Sequence, residues 1–224
     1  MDYDEWEPHY LRIVEEFGFS IGDDERSART LAALCRDKDI CAPLCLKRRI
    51  GAEVTVIGHA PGLEDGLQRA DLKGTIISAD GATTALLNEL GRVPDLIVTD
   101  LDGNVADQIA ANAQGAVAVI LAHGDNEAAV RRYVPWFPGL ITPTTQARPF
   151  PGVFNFGGFT DGDRSVMLVR HMGAKRIYLL GFDLDRPRPK AGKDPAAKKR
   201  KLATAGELIW GLNPPDVELV SVQP

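Results

Sequence analysis

Two aspartates at alternate positions, Asp100 and Asp102, directly follow an apolar run that is typical of a short buried strand. The run covers residues 96–99, and Gly103 allows the chain to leave it through a tight turn. Because side chains on an extended segment alternate between its faces, both carboxylates are expected to point the same way. Two neighbouring negative charges repel each other unless a cation offsets them, and Mg²⁺ is commonly held by one or two carboxylates. The spacing therefore predicts a metal site; two solvated aspartates, one of them capping a helix near Asn104, are the alternative.

Further acidic residues follow other predicted strands. Asp80 comes after the strand predicted over residues 75–78, and Asp125 comes after the strand predicted over residues 116–121. The corresponding loops of a parallel sheet lie at one edge, where open α/β sheets bind ligands. Each aspartate is either part of a site or the N-cap of the helix that follows it, and the neighbouring His123 is either a ligand or a structural histidine. Later loops contribute Asp161, Asp163, Asp183 and Asp185.

Two glycine-containing segments are candidates for binding phosphate or a flat ring. Residues 58–62, which begin at Gly58, follow a predicted strand and open a helix, and helix N-termini bind phosphate through their amides. This turn lacks the G-x-G-x-x-G spacing of dinucleotide sites, so a tight turn without a ligand explains it equally well. Residues 155–164 offer a second glycine-rich loop that either lines a ring-binding slot or is merely a turn.

Basic residues are concentrated late in the chain, over residues 186–201. A solvated face is the ordinary explanation for such a run. The alternative, which we favour, is a lid that supplies positive charge to a polyphosphate at an acidic site. The basic residues of this segment are Arg186, Arg188, Lys190, Lys193, Lys198, Lys199, Arg200 and Lys201.

Composition indicates an ordinary globular protein. The 224 residues are 44% hydrophobic with a net charge of −5, which argues against a nucleic-acid-binding protein. No apolar run is long enough to span a membrane, and the acidic N-terminus differs from a signal peptide, so a cytoplasmic protein is expected. Cys35, Cys41 and Cys45 lack the second cluster that a zinc site needs, and we expect reduced structural thiols.

Strands and helices alternate from about residue 51 onward, which predicts an α/β domain over residues 51–224. Its expected architecture is a mostly parallel, Rossmann-like sheet with helices on both faces. Residues 1–50 are predicted to form an N-terminal helical segment, with helices over residues 4–17 and from Asp23 or Asp24 to about residue 36.

Several motifs together resemble those of the archaeal 6-hydroxymethyl-7,8-dihydropterin diphosphokinases, the MptE-like family, which are relatives of the thiamine diphosphokinases. The resemblance covers residues 50–185, and its specificity lies in the order and spacing of the motifs. They are Ala79-Asp80-Gly81-Ala82, Pro94-Asp95-Leu96-Ile97-Val98-Thr99-Asp100-Leu101-Asp102-Gly103, His123-Gly124-Asp125-Asn126 and Gly157-Gly158-Phe159-Thr160-Asp161-Gly162-Asp163-Arg164.

The resemblance implies transfer of diphosphate from ATP to the hydroxymethyl group of the pterin with release of AMP, as in the synthesis of folate-type pterins and tetrahydromethanopterin. Thiamine diphosphokinases carry Gly-Asp-x-Asp-Ser after the corresponding strand. Here the segment from Thr99 to Gly103 keeps both acids and lacks the serine, which favours a pterin over thiamine as the acceptor.

The resemblance also implies roles for individual residues. Asp100, Asp102 and Asp125 would be catalytic residues and ligands of Mg²⁺, with ATP as the co-substrate. We expect small-molecule substrates as partners, no nucleic acid and no membrane, with a homo-oligomer left open. The residues that would contact the nucleotide or pterin are Gly58, Asp80, Gly81, His123, Asn126, Asp161, Arg164 and Lys198.

Two other classes of protein remain as alternatives. The segment that carries Asp100 and Asp102 also resembles the first motif of haloacid-dehalogenase-type phosphatases, in which Asp100 would be the nucleophile and Asp102 the acid. Lys175 and Asp183 would then stand for the later lysine and acid of that family. That motif usually lies on the first strand of its domain, whereas two strand–helix units precede it here. A nucleotide-binding module without catalytic activity is the third hypothesis, and it leaves the acidic cluster unexplained.

Overall fold

Helices and strands alternate through most of the chain in the computed structural model, which describes residues 1–189 and 194–222. The helices in this part of the chain are α1 (Tyr3–Phe17), α2 (Ile21–Leu34), α3 (Pro43–Arg49), α4 (Leu63–Arg69), α5 (Ala82–Leu90), α6 (Val105–Ala113), α7 (Glu127–Tyr133), α8 (Asp161–Met172) and α9 (Pro195–Gly206). The strands are β1 (Glu53–Ile57), β2 (Thr75–Ala79), β3 (Leu96–Thr99), β4 (Val117–Ala122), β5 (Ile141–Thr145), β6 (Arg176–Leu180) and β7 (Glu218–Val222).

The seven described strands form one sheet in the order β5-β4-β3-β2-β1-β6-β7, and each neighbouring pair is parallel. The predicted α/β fold is therefore confirmed, and within the described residues the sheet is parallel throughout rather than mostly so. The chain proceeds outward from β1 to β5 and then crosses to β6 on the other side of β1. Because every strand runs in the same direction, the loops that follow them lie at one edge of the sheet.

Helices cover both faces of the sheet, and this explains why the central strands are apolar on both sides. On one face, Val56 of β1 and Val98 of β3 belong to the same core cluster as Leu46 of α3 and Val169 of α8. On the other face, Ile120 of β4 packs in a cluster with side chains of α2 and α7. Further along that face, α4 and α5 pack over the ends of β1 and β2.

The N-terminal helices differ from their predicted limits. Ser20 caps α2, because its hydroxyl accepts the backbone N–H of Asp23 at 3.2 Å; the predicted caps, Asp23 and Asp24, lie inside the helix. The helix α3 was absent from the sequence prediction. The indole of Trp6 on α1 donates to the carbonyl of Gln146, just after β5, at 2.9 Å, so α1 packs at the edge of the sheet that carries the strand C-termini. The division of the chain near residue 50 stays a prediction.

The cysteines correct one expectation. Cys41 and Cys45 form a disulfide between the start of α3 and the residues before it, whereas the sequence predicted reduced thiols. Their Cα atoms are 5.2 Å apart, within the range that a disulfide spans. Cys35 is a buried free thiol, and burial raises its pKa to about 11. Among the described residues, no helix combines the length and the apolar character needed to cross a membrane.

Candidate active site

Three carboxylates meet where β2 and β3 end. Asp80, Asp100 and Asp102 each place an oxygen atom so that these atoms lie within 4.8 Å of one another. The two neighbouring strands bring the acids together, since Ala79 pairs with Val98 in the sheet. Oxygen atoms in such a group match the donors that hard divalent cations prefer.

Asp80 is fixed by a strained backbone and by three donors. Its φ is +44°, in the left-handed region that non-glycine residues seldom adopt. Its Oδ1 accepts from the hydroxyl of Thr99 (3.1 Å), the backbone N–H of Gly103 (3.1 Å) and the amide of Gln108 (2.9 Å). A Cβ at Gly103 would stand 2.6 Å from this carboxylate, so glycine is needed there. The alternative role as an N-cap is wrong, because the N-cap residue of α5 is Gly81 and no side chain caps this helix.

The loop after β3 is shaped by Leu101, which separates the two aspartates. Leu101 is 3% exposed and has a φ of +65°, so it turns inward against the core while its neighbours face the edge of the sheet. Its N–H donates to the hydroxyl of Thr99 at 2.9 Å, and the N–H of Asp102 donates to Oδ1 of Asp100 at 3.2 Å. Neither aspartate caps α6, whose N-cap residue Asn104 makes no capping bond with its side chain. Backbone strain of this kind is common at functional sites.

Asp161 brings a fourth carboxyl group to the cluster from α8. Its Oδ1 is buried and has no hydrogen-bond partner among the described residues. Burial, followed by the negative charges of Asp100, Asp80 and Asp102, raises the pKa of Asp161 well above its usual range. An uncompensated buried carboxylate is costly unless it is protonated or bound to a cation. The sequence placed Asp161 in a later loop, and the fold brings it, at the first position of α8, near enough to these three acids for their charge to affect its pKa.

The glycine-rich loop before α8 is held from beneath by two buried side chains. Asp163 accepts the backbone N–H groups of Phe159 (2.5 Å) and Thr160 (2.7 Å), and Arg164 donates to the carbonyl of Gly158 (2.7 Å). Arg164 is 3% exposed, and burial lowers its pKa against the opposing charges of nearby aspartates. Its guanidinium therefore supports the loop from inside the protein. Contact of Arg164 with a substrate stays a prediction. The aspartates whose negative charges oppose the lowering of the Arg164 pKa are Asp163, Asp161, Asp100 and Asp24.

The loop after β4 supports the cluster by hydrogen bonds. The buried amide of Asn126 donates to the carbonyls of Asp100 (2.8 Å) and Leu121 (2.7 Å), and its oxygen accepts the N–H of His123 (2.9 Å). Nε2 of His123 lies 3.6 Å from Oδ2 of Asp100. Asp125 is exposed and lies outside the group formed by Asp80, Asp100 and Asp102. Its predicted role as a metal ligand is not tested by this geometry.

The remaining predicted residues are two glycines, Gly58 and Gly81, and the basic residues of the segment 186–201. Gly58 and Gly81 are closely packed: a Cβ would stand 2.7 Å from the carbonyl of Gly181 in the first case and 2.3 Å from Nδ1 of His59 in the second. Lys198 is exposed on α9. Arg188 bonds to Glu64 at 2.6 Å, which fixes the start of the basic segment to α4. Two basic residues of the proposed lid, Lys190 and Lys193, lie outside the described residues.

Sequence reasoning missed the side chains that orient Asp80. Thr99 and Gln108 both donate to its carboxylate, but a threonine that ends a strand and a glutamine in a helix have many ordinary explanations. Asp24 was also missed as a contact of the β4 loop: it accepts the N–H of Gly124 at 2.7 Å across 100 residues of sequence. No local pattern could have shown either relation.

The fold and the site define a class: a doubly wound α/β protein whose acidic cluster lies at the carboxyl edge of its parallel sheet. A family model described as "6-hydroxymethylpterin diphosphokinase MptE-like" matches residues 35–188. The chain therefore belongs to the MptE-like family, and the resemblance stated from the motifs is confirmed. A relation to the thiamine diphosphokinases stays a prediction.

Three archaeal relatives share this similarity over most of their length, and each is named 6-hydroxymethyl-7,8-dihydropterin pyrophosphokinase. The protein of Pyrococcus furiosus is 43% identical, with 93% of both chains covered. That of Methanothermobacter thermautotrophicus is 44% identical, with 93% of this chain and 94% of the relative covered. That of Methanocaldococcus jannaschii is 37% identical, with 82% and 80% covered.

Proposed function

We propose that this protein transfers the diphosphate group of ATP to the hydroxymethyl group of 6-hydroxymethyl-7,8-dihydropterin and releases AMP. The hydroxymethyl oxygen forms a bond to the β-phosphorus, the bond from that phosphorus to the oxygen bridging it to the α-phosphorus breaks, and the hydroxyl proton is lost. The names of the relatives support this reaction. The observation that carries it in this chain is the convergence of Asp80, Asp100 and Asp102 at the edge where α/β sheets bind ligands.

The acidic cluster fits a hard divalent cation such as Mg²⁺. Its donors are carboxylate oxygens, and the buried Oδ1 of Asp161 lacks a partner among the described residues. When bound, such a cation neutralises charge that develops on the phosphate oxygens. We propose Asp100 and Asp102 as ligands, with Asp80 and Asp161 as further candidates from the geometry and Asp125 as a candidate from the sequence.

The chain's own contribution to this reaction is mainly positioning. Asp80 is held by Thr99, Gly103 and Gln108, and the backbone of Asp100 is held by Asn126. Pre-set geometry of this kind is a large part of catalysis in phosphoryl transfer, where the protein does little covalent chemistry. The glycine-rich loop before Asp161 remains our candidate for the pterin slot. The cytoplasmic location and a homo-oligomeric state also stay predictions.

The direct test is to incubate the protein with ATP, Mg²⁺ and 6-hydroxymethyl-7,8-dihydropterin and to quantify the nucleotide products. We expect AMP and the pterin diphosphate in equal amounts. Inorganic phosphate with ADP and no AMP would instead indicate a phosphatase of the kind that uses Asp100 as a nucleophile. Absence of turnover would favour a nucleotide-binding module.

Acceptor choice is tested with thiamine in place of the pterin under the same conditions. A site built to hydrogen-bond one substrate rejects an analogue that lacks the matching groups, often by about 10⁴-fold. We therefore expect a much lower kcat/KM for thiamine. An equal or higher value would exclude the pterin assignment and leave diphosphate transfer standing.

The metal assignment has a test that needs no turnover. The raised pKa of Asp161 means that its protonated form favours folding, so the metal-free protein loses stability as the pH rises from about 4 through that pKa. Asp161→Asn removes this cost, and we expect the melting temperature of the metal-free protein at pH 7.5 to rise by at least about 2 °C. Mg²⁺ should then stabilise the variant less than the wild type.

The matched control is Asp185→Asn, which changes an exposed aspartate in the loop after β6. It should leave both the metal-free melting temperature and the Mg²⁺ response unchanged. An Asp161→Asn protein that gains as much stability from Mg²⁺ as the wild type would remove Asp161 from the cation site.

A further inference from the structure

Asp24 is a buried acid on α2, and only 2% of its surface is exposed. Its Oδ2 accepts from the hydroxyl of Tyr10 (2.7 Å) and from the amide of Gln146 (2.8 Å). Its Oδ1 accepts the backbone N–H of Gly124 at 2.7 Å. All three partners act as donors here, and the two oxygens of one carboxyl group accept from them together. The residue therefore joins α1, α2, the end of β5 and the β4 loop.

The β4 loop, residues 123–126, lies directly against α2 at Gly124. A Cβ there would stand 2.9 Å from Cβ of Asp23 and 3.6 Å from Oδ1 of Asp24. The first distance is shorter than ordinary contacts between carbon atoms, so the approach of loop and helix depends on glycine. Glycine at position 124 therefore lets the loop come close enough to α2 for its N–H to reach Oδ1 of Asp24.

The same loop holds the acidic cluster. Asn126 donates to the carbonyl of Asp100 at 2.8 Å and accepts the N–H of His123 at 2.9 Å. On the other side, the hydroxyl of Ser27 on α2 lies 3.3 Å from the amide oxygen of Asn126. A continuous series of hydrogen bonds therefore leads from α2 through the loop to the backbone of Asp100.

We propose that Asp24 is a positioning residue of the acidic site, which fixes the β4 loop against α2 and thereby the backbone of Asp100. The N-terminal helical segment then supplies one side chain, the Asp24 carboxylate, that positions the acidic site. This inference rests on the proposed function, which supplies the reaction whose kcat is measured. The role of Asp24 in positioning concerns only the β4 loop and the acids proposed to bind a cation.

The kinetic test compares three variants with the wild type. Asp24→Ala removes the acceptor of Gly124, and we expect kcat to fall by about 10- to 100-fold, since misplacement by about 1 Å costs that much. Asp24→Asn can keep its amide oxygen on Gly124 and should recover kcat to within about threefold of the wild type. Tyr10→Phe deletes a partner of Oδ2 and leaves the Gly124 bond, so it should lower the melting temperature and keep kcat within about threefold.

Two measurements do not depend on turnover. Hydrogen exchange of the segment 121–127, followed by mass spectrometry, should be at least about threefold faster in Asp24→Ala than in Tyr10→Phe, because only the first releases the loop. Binding of Mn²⁺, followed by its electron paramagnetic resonance signal, should weaken by about tenfold in Asp24→Ala alone, as loss of outer support typically costs a metal site.

The outcomes separate positioning from general stability. If kcat falls in all three variants in proportion to their melting temperatures, or if loop exchange and Mn²⁺ binding are unchanged in Asp24→Ala, the proposal is overturned. If Asp24→Ala does not fold, Gly124→Ala displaces the same loop with Asp24 intact, and wild-type kcat and Mn²⁺ affinity in that variant would overturn it. A wild-type protein that makes no AMP refutes the proposed function, while exchange and Mn²⁺ binding still decide the role of Asp24.

Discussion

The loops after β3 and β4 carry acidic motifs of similar appearance, and the fold uses them in different ways. After β3, Asp100 and Asp102 turn toward Asp80 until their oxygens lie within 4.8 Å, on a backbone strained at Leu101. After β4, Asn126 forms hydrogen bonds through both the nitrogen and the oxygen of its amide, and Asp125 is exposed to solvent. The loop after β3 concentrates negative charge, and the loop after β4 holds the β3 loop in position.

Concentrated charge, and not an acidic motif as such, marks the loop that is suited to catalysis. Concentrated like charge in a folded protein is unfavourable, and it is tolerated where a ligand or cation offsets it. A satisfied network of hydrogen bonds has no such requirement and rigidifies its surroundings. The buried Oδ1 of Asp161 has no hydrogen-bond partner among the described residues, and the charges of Asp100, Asp80 and Asp102 add to burial in raising the pKa of its carboxyl group. Both observations distinguish the acidic cluster from the satisfied β4 loop.

The largest expected effect comes from removing charge at the β3 loop. Asp100→Asn and Asp102→Asn should each lower kcat by about 10³-fold, comparable to the loss of a key electrostatic contact in other enzymes. Their melting temperatures should stay the same or rise, because repulsion within the cluster is relieved. Steady-state kinetics at saturating Mg²⁺ and thermal unfolding check both parts. Unchanged turnover in either variant would contradict the metal-site assignment.

The support given by the β4 loop is tested with Asn126→Ala. The change leaves the part-buried carbonyl of Asp100 and the buried carbonyl of Leu121 without this donor. We expect a loss of about 2–3 kcal/mol of unfolding free energy together with a fall in kcat of about 10²-fold. Urea unfolding and steady-state kinetics give the two values. Gln114→Ala, which removes an exposed amide at the end of α6, serves as the control and should change neither. A stable Asn126→Ala protein with full activity would show that the β4 loop is not needed to hold the β3 loop in position.

Asp125 offers the sharpest comparison between the two loops. Because it is exposed and lies outside the group of three acids, Asp125→Asn should reduce kcat by less than about tenfold, far less than Asp100→Asn. Measuring both variants over a range of Mg²⁺ concentrations decides the matter. If both variants lose kcat equally and need equally more Mg²⁺, Asp125 would be a Mg²⁺ ligand, as the sequence predicts.

The smallest expected effect concerns the basic residues of α9. Replacing the exposed Lys198 and Lys199 with alanine should raise KM for ATP by about threefold at low salt, with less effect at high salt, if the segment supplies charge to the polyphosphate. Lys201 is left in place because its ammonium group lies over the rings of Phe19 (5.3 Å) and Phe159 (5.5 Å). Wild-type kinetics at low salt would make this stretch an ordinary solvated face.

Local patterns in the sequence determined the elements and the central motif of the site. Apolar runs of strand length gave the positions of β2, β3 and β4, and alternation along the chain indicated the parallel sheet. Asp100 and Asp102 could be recognised because their spacing, their place after a strand and the following Gly103 are all encoded within a few residues. The period and composition of a segment are enough to predict its structure where the physical cause of that structure lies within the segment itself.

Tertiary structure alone decided which other residues join that motif. Asp80 and Asp125 both follow strands that neighbour β3, but Asp80 comes directly after β2 in a left-handed turn, whereas Asp125 lies in a short 3-10 turn beyond His123. The electrostatic interaction of Asp161 with the cluster and the hydrogen bond of Asp24 with Gly124 span long stretches of sequence. The path of each loop depends on packing against distant helices, and no local pattern records it.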